Sequence, residues 1–252
     1  MRKRAWRHLR SAARRYFAMN DHSFVVTGGS RGIGAAIVEE LDRRGVRVFA
    51  LSRSGTAPAG TGVVCDLTDE RALAEALRAI AAQSPIAGLV NNAGFQETVP
   101  SAQLPTERFE QIMALNATAA MVACREAYPH LKQTRGKIVN IGSFFDKLGI
   151  PGNVAYCASK AALGAITRCL AVEWARDGIS VLNVAPGYVE TSLNREFLHK
   201  PSVRDWLAKR IPTGAPAQPI QVARLVAALL LSDFPFLTGE TIYLDGGQGI
   251  NH

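Results

Sequence analysis

The apolar positions of the chain fall into short β-branched runs that alternate with longer stretches of helical periodicity. Several of the runs are continuously apolar, which is typical of strands that are buried on both faces of a sheet. The pattern predicts strands at Phe24–Thr27, Val46–Leu51, Gly62–Cys65, Gly88–Asn91, Lys137–Ile141, Ile179–Val184 and Thr241–Leu244. It predicts long helices at Gly32–Arg44, Thr68–Gln83, Thr106–Leu131, Val154–Asp177 and Pro219–Leu231. We therefore expect an α/β fold with a single Rossmann-type, doubly wound parallel sheet and helices on both faces.

One segment breaks this alternation near the end of the chain. Residues 188–219 form a connection longer than usual, with mixed charge and four prolines. Connections of this length inside a compact domain are often functional, so we predict a substrate lid around residues 188–219. The rest of residues 21–252 is predicted to be one dinucleotide-binding domain.

The composition is unusual only at the N-terminus, where basic residues are concentrated. The net charge of +8 suggests a nucleic-acid partner, but seven basic residues and no acid lie within residues 1–18. The remaining chain is close to neutral, so we predict no nucleic-acid binding. Residues 1–20 are interpreted as a basic extension, either a flexible tail or a start-site artefact if translation begins at Met19. Helical spacing of Trp6, Leu9, Ala13 and Tyr16 leaves a membrane-surface helix or a transit-like segment as alternatives.

Cysteine, histidine and hydropathy patterns exclude several classes of protein. The four cysteines show no CxxC spacing and the five histidines no HxxxH pair, so we predict reduced thiols and no metal site. No apolar run approaches the ~20 residues of a membrane-spanning helix. A cytoplasmic protein without an integral membrane span is expected.

A glycine-rich turn lies between the first predicted strand and the first helix, at Thr27–Gly34. Glycines there allow the backbone to approach a pyrophosphate, and the helix N-terminus offers free N–H groups and a partial positive charge. The position of this turn after a first strand makes it a specific signal for a bound dinucleotide.

The end of the second strand indicates which dinucleotide is bound. Ser52 stands where NAD-binding folds place an acid for the ribose 2′-hydroxyl, and Arg53 follows it. Arginine pairs with a 2′-phosphate through charge-assisted hydrogen bonds, and Arg31 in the glycine turn is a second candidate for that phosphate. The sequence therefore predicts NADP(H) as the cofactor.

A tyrosine and a lysine four residues apart, Tyr156 and Lys160, share one face of a predicted helix. An ammonium beside a phenol favours the phenolate, so we expect a lowered tyrosine pKa and a role in proton transfer to a carbonyl. Ser143 follows the strand Lys137–Ile141, at the edge where open α/β sheets bind ligands. Its hydroxyl can bind the same carbonyl oxygen.

With these motifs in order, the sequence resembles the short-chain dehydrogenases/reductases from Ser23 to Gly247. Asp66 matches the position that binds the adenine amino group, and Asn116 matches the asparagine of the family's proton relay. The resemblance implies a catalytic tetrad of Asn116, Ser143, Tyr156 and Lys160. It implies cofactor contacts at Gly28, Ser30, Arg31, Ile33, Arg53, Asp66, Leu67, Asn92, Ala93, Gly94, Tyr156, Lys160, Pro186, Gly187, Val189 and Thr191.

By the same resemblance, the fold has seven strands, and Tyr156 is the acid and base of a ketone or aldehyde reduction. Ser143 positions the substrate oxygen, and Lys160 binds the nicotinamide ribose. The family commonly forms homotetramers, so a homo-oligomer (tetramer or dimer) with a small carbonyl or alcohol substrate is expected.

The substrate branch stays open between alternatives. Family members that reduce 3-oxoacyl groups on acyl carrier protein have basic residues where this chain has Thr134 and Asp177. Nearby cations that can substitute are Arg125, Lys132, Arg135 and Arg176. Other segments resemble sugar-acid and polyol dehydrogenases, and a third hypothesis is a catalytically silent NADP(H)-sensing regulator. Candidate pocket residues are Phe144, Phe145, Leu148, Tyr188, Leu193 and Phe197.

Overall fold

The computed structural model describes residues 21–251, which form one seven-stranded parallel sheet in the order β3-β2-β1-β4-β5-β6-β7. The strands are β1 (Ser23–Thr27), β2 (Arg47–Ser52), β3 (Thr61–Val64), β4 (Ile86–Asn91), β5 (Lys137–Ile141), β6 (Ser180–Pro186) and β7 (Thr241–Leu244). The predicted Rossmann-type sheet is confirmed, and each predicted strand has its counterpart. The predicted basic extension over residues 1–20 lies outside the described residues.

Eight α-helices of the described chain connect the strands. They are α1 (Gly32–Arg43), α2 (Glu70–Gln83), α3 (Thr106–Met113), α4 (Ala119–Thr134), α5 (Val154–Trp174), α6 (Arg195–Leu198), α7 (Pro201–Arg210) and α8 (Pro219–Leu231). The predicted helix Thr106–Leu131 is divided, because a π-helical turn at Ala114–Thr118 separates α3 from α4. In the described chain, no helix has the length and apolar character that a membrane crossing requires.

Two hydrophobic cores lie on opposite faces of the sheet. One contains the buried faces of α1 and α8, with Ile37, Leu41 and Val226 fully buried against the strands. The other contains the inner faces of α2, α4 and α5, including Leu77 and Leu131. Burial on both faces explains the continuous apolar runs in the central strands.

The strand order reverses between β1 and β4, which pair side by side with Thr27 opposite Asn91. Connections from these two strands therefore leave in opposite directions and open a crevice beyond their carboxyl ends. Open α/β sheets bind ligands at such a switch point. The glycine turn after β1 and the residues that follow β4 both reach this crevice.

The 188–219 segment contains the short helices α6 and α7, neither of which was predicted from periodicity. Leu198, Leu207 and Ile211 form a small apolar cluster of their own, against which Tyr188 and Val203 pack. A parallel bridge joins Val189 to Ala217 at the base of the segment. Its function as a substrate lid stays a prediction.

Candidate active site

The glycine turn fits closely against the chain that follows β4. Gly28 has a φ of 65°, and a Cβ built on it would lie 2.9 Å from the Cα of Ala93. A Cβ on Gly34 would lie 2.2 Å from the carbonyl oxygen of Gly28, so only glycine fits there. No side chain caps α1 at its N-cap Arg31, so the first N–H groups of the helix can bind an anion. Ser30 and Ile33, the other turn residues predicted to contact the cofactor, are half-buried.

A small hydrogen-bond network holds the turn and the β4 connection together. The Thr27 hydroxyl accepts from the backbone N–H groups of Asn92 at 3.0 Å and Ala93 at 3.2 Å. The Asn92 amide donates to the carbonyl oxygens of Thr27 and Gly28, each at 3.1 Å. The side chain of Asn92 therefore shapes the backbone cradle, a positioning contact that the sequence did not reveal.

The adenosine end of the crevice has an exposed arginine and an exposed carboxylate. Ser52 is buried at the end of β2, and Arg53 beside it is exposed. Backbone and side-chain hydrogen bonds from Thr68, with a smaller contribution from the Arg53 charge, hold the pKa of Asp66 below its usual value. Leu67 is buried next to it. The cradle can therefore hold a dinucleotide, with Arg53 and Asp66 at its adenosine end.

Gly94 brings the cradle to two of the four predicted catalytic residues, Asn116 and Lys160. A Cβ built on Gly94 would lie 3.0 Å from Asn116 Oδ1 and 3.6 Å from Lys160 Nζ. These two side chains therefore face the same small space beside residue 94. The absence of a side chain on Gly94 keeps that space open.

Ser143 and Tyr156 meet at the carboxyl end of β5. Ser143 precedes a short 3-10 turn, Phe144–Asp146, and its hydroxyl accepts the N–H of Phe145 at 3.2 Å. A side-chain hydrogen bond joins Ser143 to the phenol of Tyr156. The turn thus fixes the serine and holds it against the tyrosine on α5.

Lys160 is buried, and its ammonium donates to the carbonyl oxygen of Ile141 at 2.8 Å. Burial lowers the pKa of Lys160 to about 8. Its Nζ lies 5.7 Å from the centre of the Tyr156 ring. Burial raises the pKa of Tyr156 to about 12, and the bond from Ser143 offsets only part of that rise. This direction is opposite to the lowering predicted from the sequence, because desolvation outweighs the hydrogen bond from Ser143.

Asn116 lies in the π-helical turn and is buried. Its amide exchanges two hydrogen bonds of 2.9 Å with the backbone of Phe95 and donates at 3.1 Å to Ser159. Ser159 in turn donates to the carbonyl oxygen of Tyr156 at 2.8 Å. Ser159 connects two predicted catalytic residues, and it was overlooked although it lies between Tyr156 and Lys160 in the sequence.

The predicted contacts at the nicotinamide end come from the connection after β6. Gly187 donates its N–H to Leu244 at 3.0 Å, and a Cβ on Gly187 would lie 2.8 Å from the Cα of Asp245. Thr191 approaches the glycine turn, because a Cβ on Gly32 would lie 3.6 Å from its methyl carbon. Pro186 and Val189 are buried in the same connection. The cradle, the tetrad and this connection therefore form one continuous surface.

Four of the six candidate pocket residues belong to the aromatic group around Tyr156 or lie beside it. Phe144 and Phe145 are buried, Leu148 and Tyr188 half-buried. Leu193 and Phe197 are exposed, with 69% and 52% of their surface accessible. Trp206, which was not predicted, contacts Tyr188 edge-on at 6.0 Å. Its helix α7 has no clear apolar periodicity, so the pattern gave no signal for it.

The cations proposed as a carrier-protein contact are in part neutralised. Arg125 forms ion pairs with Glu70 and Glu126. Lys132 pairs with Asp177 at 2.9 Å, and Asp177 also accepts from the Tyr128 hydroxyl at 2.8 Å. These ion pairs leave less positive charge at this face than the sequence suggests.

A family model described as enoyl-(acyl carrier protein) reductase matches residues 28–248. The chain belongs to this family of short-chain dehydrogenases/reductases, which are oxidoreductases that use nicotinamide cofactors.

Relatives in several organisms extend over almost the whole chain. A 3-oxoacyl-(acyl-carrier-protein) reductase, MabA, of Mycobacterium tuberculosis is 34% identical, covering 91% of this chain and 94% of its own. A tropinone reductase homolog of Arabidopsis thaliana is 35% identical over 90% of this chain and 92% of its own. Gluconate 5-dehydrogenase of Gluconobacter oxydans is 33% identical over 92% of this chain and 96% of its own.

Solved structures agree with the fold. A putative gluconate dehydrogenase of Agrobacterium tumefaciens superposes with a TM-score of 0.86 at 30% identity, covering 92% of this chain and 97% of its own. A gluconate 5-dehydrogenase of Burkholderia cenocepacia, in complex with NADP and tartrate, has a TM-score of 0.85 at 27% identity. That alignment covers 93% of this chain and all of the other.

Proposed function

We propose that the protein is an NADP(H)-dependent oxidoreductase that interconverts a ketone or aldehyde and an alcohol. The observation that carries the proposal is the meeting of Ser143, Tyr156, Lys160 and Asn116 beside the glycine cradle. The proposal includes a cytoplasmic location and, as the family resemblance implies, a homo-oligomer (dimer or tetramer).

The cofactor preference rests on charge at the adenosine end. Arg31 and Arg53 follow the neighbouring strands β1 and β2, and both are exposed to solvent. Ser52 offers no negative charge that would repel a 2′-phosphate. The Burkholderia cenocepacia relative is in complex with NADP, which supports the same preference here.

In the proposed reduction, Ser143 donates a hydrogen bond to the substrate carbonyl oxygen and the phenol of Tyr156 transfers its proton to that oxygen. When bound, the nicotinamide cofactor supplies the hydride that forms the new C–H bond. The raised pKa keeps Tyr156 protonated at neutral pH, the state that a proton donor requires. Lys160 and Asn116 border the space beside Gly94 through which the phenolate regains a proton.

The testing experiment follows NADPH and NADH consumption with 2,3-butanedione and a wider panel of carbonyl compounds. We expect turnover with NADPH well above NADH in the wild-type enzyme. Tyr156→Phe should reduce kcat by roughly 10²-fold or more, the usual contribution of a positioned proton donor. NADPH binding, measured by fluorescence, should be unchanged in Tyr156→Phe, since the phenol alone is removed.

Activity of Tyr156→Phe close to that of the wild type would refute the proposed role. NADPH binding by the wild-type protein without turnover of any compound would instead favour an NADP(H)-sensing regulator. Equal use of NADH and NADPH would contradict the assignment of Arg31 and Arg53.

Two candidate substrate branches are supported by the relatives. The similarity to MabA favours a 3-oxoacyl-type reductase, although the ion pairs of Arg125 and Lys132 weaken binding of an acidic carrier. The similarity to gluconate dehydrogenases favours a sugar-acid or polyol substrate. Side-by-side rates with a 3-oxoacyl thioester and a keto-sugar acid distinguish the two branches.

A further inference from the structure

A wall of aromatic rings leads away from the proposed proton donor. Phe144 and Phe145 directly follow Ser143 and are 3% and 6% exposed. The ring of Phe145 meets that of Tyr156 edge-on, with centroids 6.0 Å apart and planes at 86°. The two phenylalanines also contact each other at 4.8 Å. These two rings therefore pack behind Ser143 and Tyr156 and form the inner end of the wall.

The 188–219 segment extends this wall toward solvent. Tyr188 contacts Phe144 at 5.6 Å and Phe145 at 6.3 Å. On its other side, Tyr188 meets Trp206 edge-on at 6.0 Å. The Arg210 guanidinium lies 5.6 Å from the Trp206 ring centre and holds the indole in place. Trp206 keeps 44% of its surface accessible, so an apolar ligand on the wall would bury more of it.

Two carboxylates near this wall already have polar partners. Asp146, at the end of the turn that carries the phenylalanines, accepts the hydroxyl of Tyr243 at 2.9 Å. Glu190 forms an ion pair with Arg195 at 2.9 Å, and His199 Nε2 lies 3.3 Å from its carboxylate.

These contacts decide between apolar and polyhydroxylated substrates. A polyol that enters an apolar site loses hydrogen bonds to water, at a cost of about 1–3 kcal/mol for each hydroxyl left unpaired. An aryl or alicyclic ring instead gains about 25 cal/mol for each Å² of apolar surface that it buries. The wall therefore favours carbonyl compounds that carry a ring over keto-sugar acids.

We propose that the site reduces apolar ketones of the aryl or alicyclic class, and that Tyr188 and Trp206 determine this specificity. The proposal rests on the proposed oxidoreductase function and names the substrate class for the same site. It departs from the sugar-acid substrates named for several relatives, since these aromatic contacts surround the proposed proton donor of this chain.

The test compares kcat/KM for 2-tetralone, 5-keto-D-gluconate and 2,3-butanedione with NADPH. We expect 2-tetralone to exceed the keto-sugar acid by roughly tenfold or more, given the size of the ring that it buries. A keto-sugar acid used as well as 2-tetralone overturns the substrate class and leaves the oxidoreductase function intact. If the protein binds NADPH but reduces none of the three compounds, both proposals are contradicted.

Variants test the wall itself. Trp206→Ala should lower kcat/KM for 2-tetralone by roughly tenfold and leave 2,3-butanedione within about twofold, since the diketone is too small to cover the indole. An equal loss for both substrates would mean that Trp206 only packs the segment, which overturns its role in specificity.

Two further variants serve as controls for Trp206→Ala. Phe236 is a fully exposed aromatic residue outside the wall, so Phe236→Ala should leave both rates unchanged. Trp206→Phe retains a ring and should restore most of the preference for 2-tetralone. The specific contact with Trp206 would be contradicted if the preference for 2-tetralone stayed low in Trp206→Phe and fell as far in Phe236→Ala as in Trp206→Ala.

Discussion

Arg53 is exposed, and its proposed function, binding the 2′-phosphate of NADP(H), depends on its charge. It lies at the end of β2, close enough to Asp66 to lower the pKa of that carboxyl. Because it has no packing contribution that a substitution would remove, its variants report on cofactor recognition with little risk to folding.

We expect Arg53→Asp to weaken NADPH binding by well over tenfold, because hydrogen bonds to a charged phosphate contribute about 1.5–3 kcal/mol each. NADH binding should change little, since its ribose has no 2′-phosphate. Fluorescence titration with each nucleotide measures both constants. The matched control is Arg47→Asp, an exposed arginine at the opposite end of the same strand, which should bind both nucleotides like the wild type. Unchanged NADPH affinity in Arg53→Asp would remove this arginine from the site.

At the level of single elements, the 3-10 turn Phe144–Asp146 is held from outside by β7. The Tyr243 hydroxyl donates to Asp146, and the ammonium of Lys147 lies 3.6 Å from the centre of the Tyr243 ring. The same turn places Ser143 and begins the aromatic wall. The last strand of the sheet therefore positions a group in the proposed active site.

Tyr243→Phe should lower kcat by roughly fivefold, which corresponds to the loss of about 1 kcal/mol from one hydrogen bond to the turn. The cofactor dissociation constant should stay the same, because the cradle is on other elements. Asp146→Asn is the matched control, since its amide oxygen still accepts from Tyr243. A Tyr243→Phe enzyme with wild-type kcat, or one that loses cofactor binding as well, would argue against a positioning role.

The sequence predicted most elements but not the details that complete the site. Glycines, β-branched runs and the Tyr156/Lys160 pair are local signals, so the strands and the candidate tetrad were recognisable. The π-helical turn around Asn116 has no residue-type signal of its own, because such single turns form inside otherwise ordinary α-helices. Trp206 joins the wall only through tertiary packing of a short helix, which periodicity cannot show.

At the scale of the whole molecule, one buried cation links the site to the stability of the fold. Burial lowers the pKa of Lys160 from 10.5 to about 8. Between these values the unfolded chain binds a proton that the folded chain does not, so this residue makes unfolding less favourable as pH rises. Below pH 8 both states are protonated and the full cost of burying the charge is present. Above about 10.5 both states are neutral and the cost is absent.

We therefore expect the wild type to gain about 3 kcal/mol relative to Lys160→Met as pH rises from 7 to above 10. The comparison between the two proteins cancels the titration of groups that do not interact with Lys160. Urea unfolding at several pH values, without added cofactor, measures the difference. A difference in unfolding free energy that stays flat across this range would mean that Lys160 keeps an ordinary pKa in the folded protein.

The small apolar cluster of the 188–219 segment is separate from the two cores that cover the sheet. Leu198, Leu207 and Ile211 pack mainly with one another, and Tyr188 links them to the aromatic wall. Because this cluster is separate from the two cores, we expect that residues 195–210 can be exchanged for those of a relative with little effect on the sheet. Such chimaeras would carry a new substrate preference onto an unaltered cofactor site, which makes this segment the natural target for redesigning the enzyme.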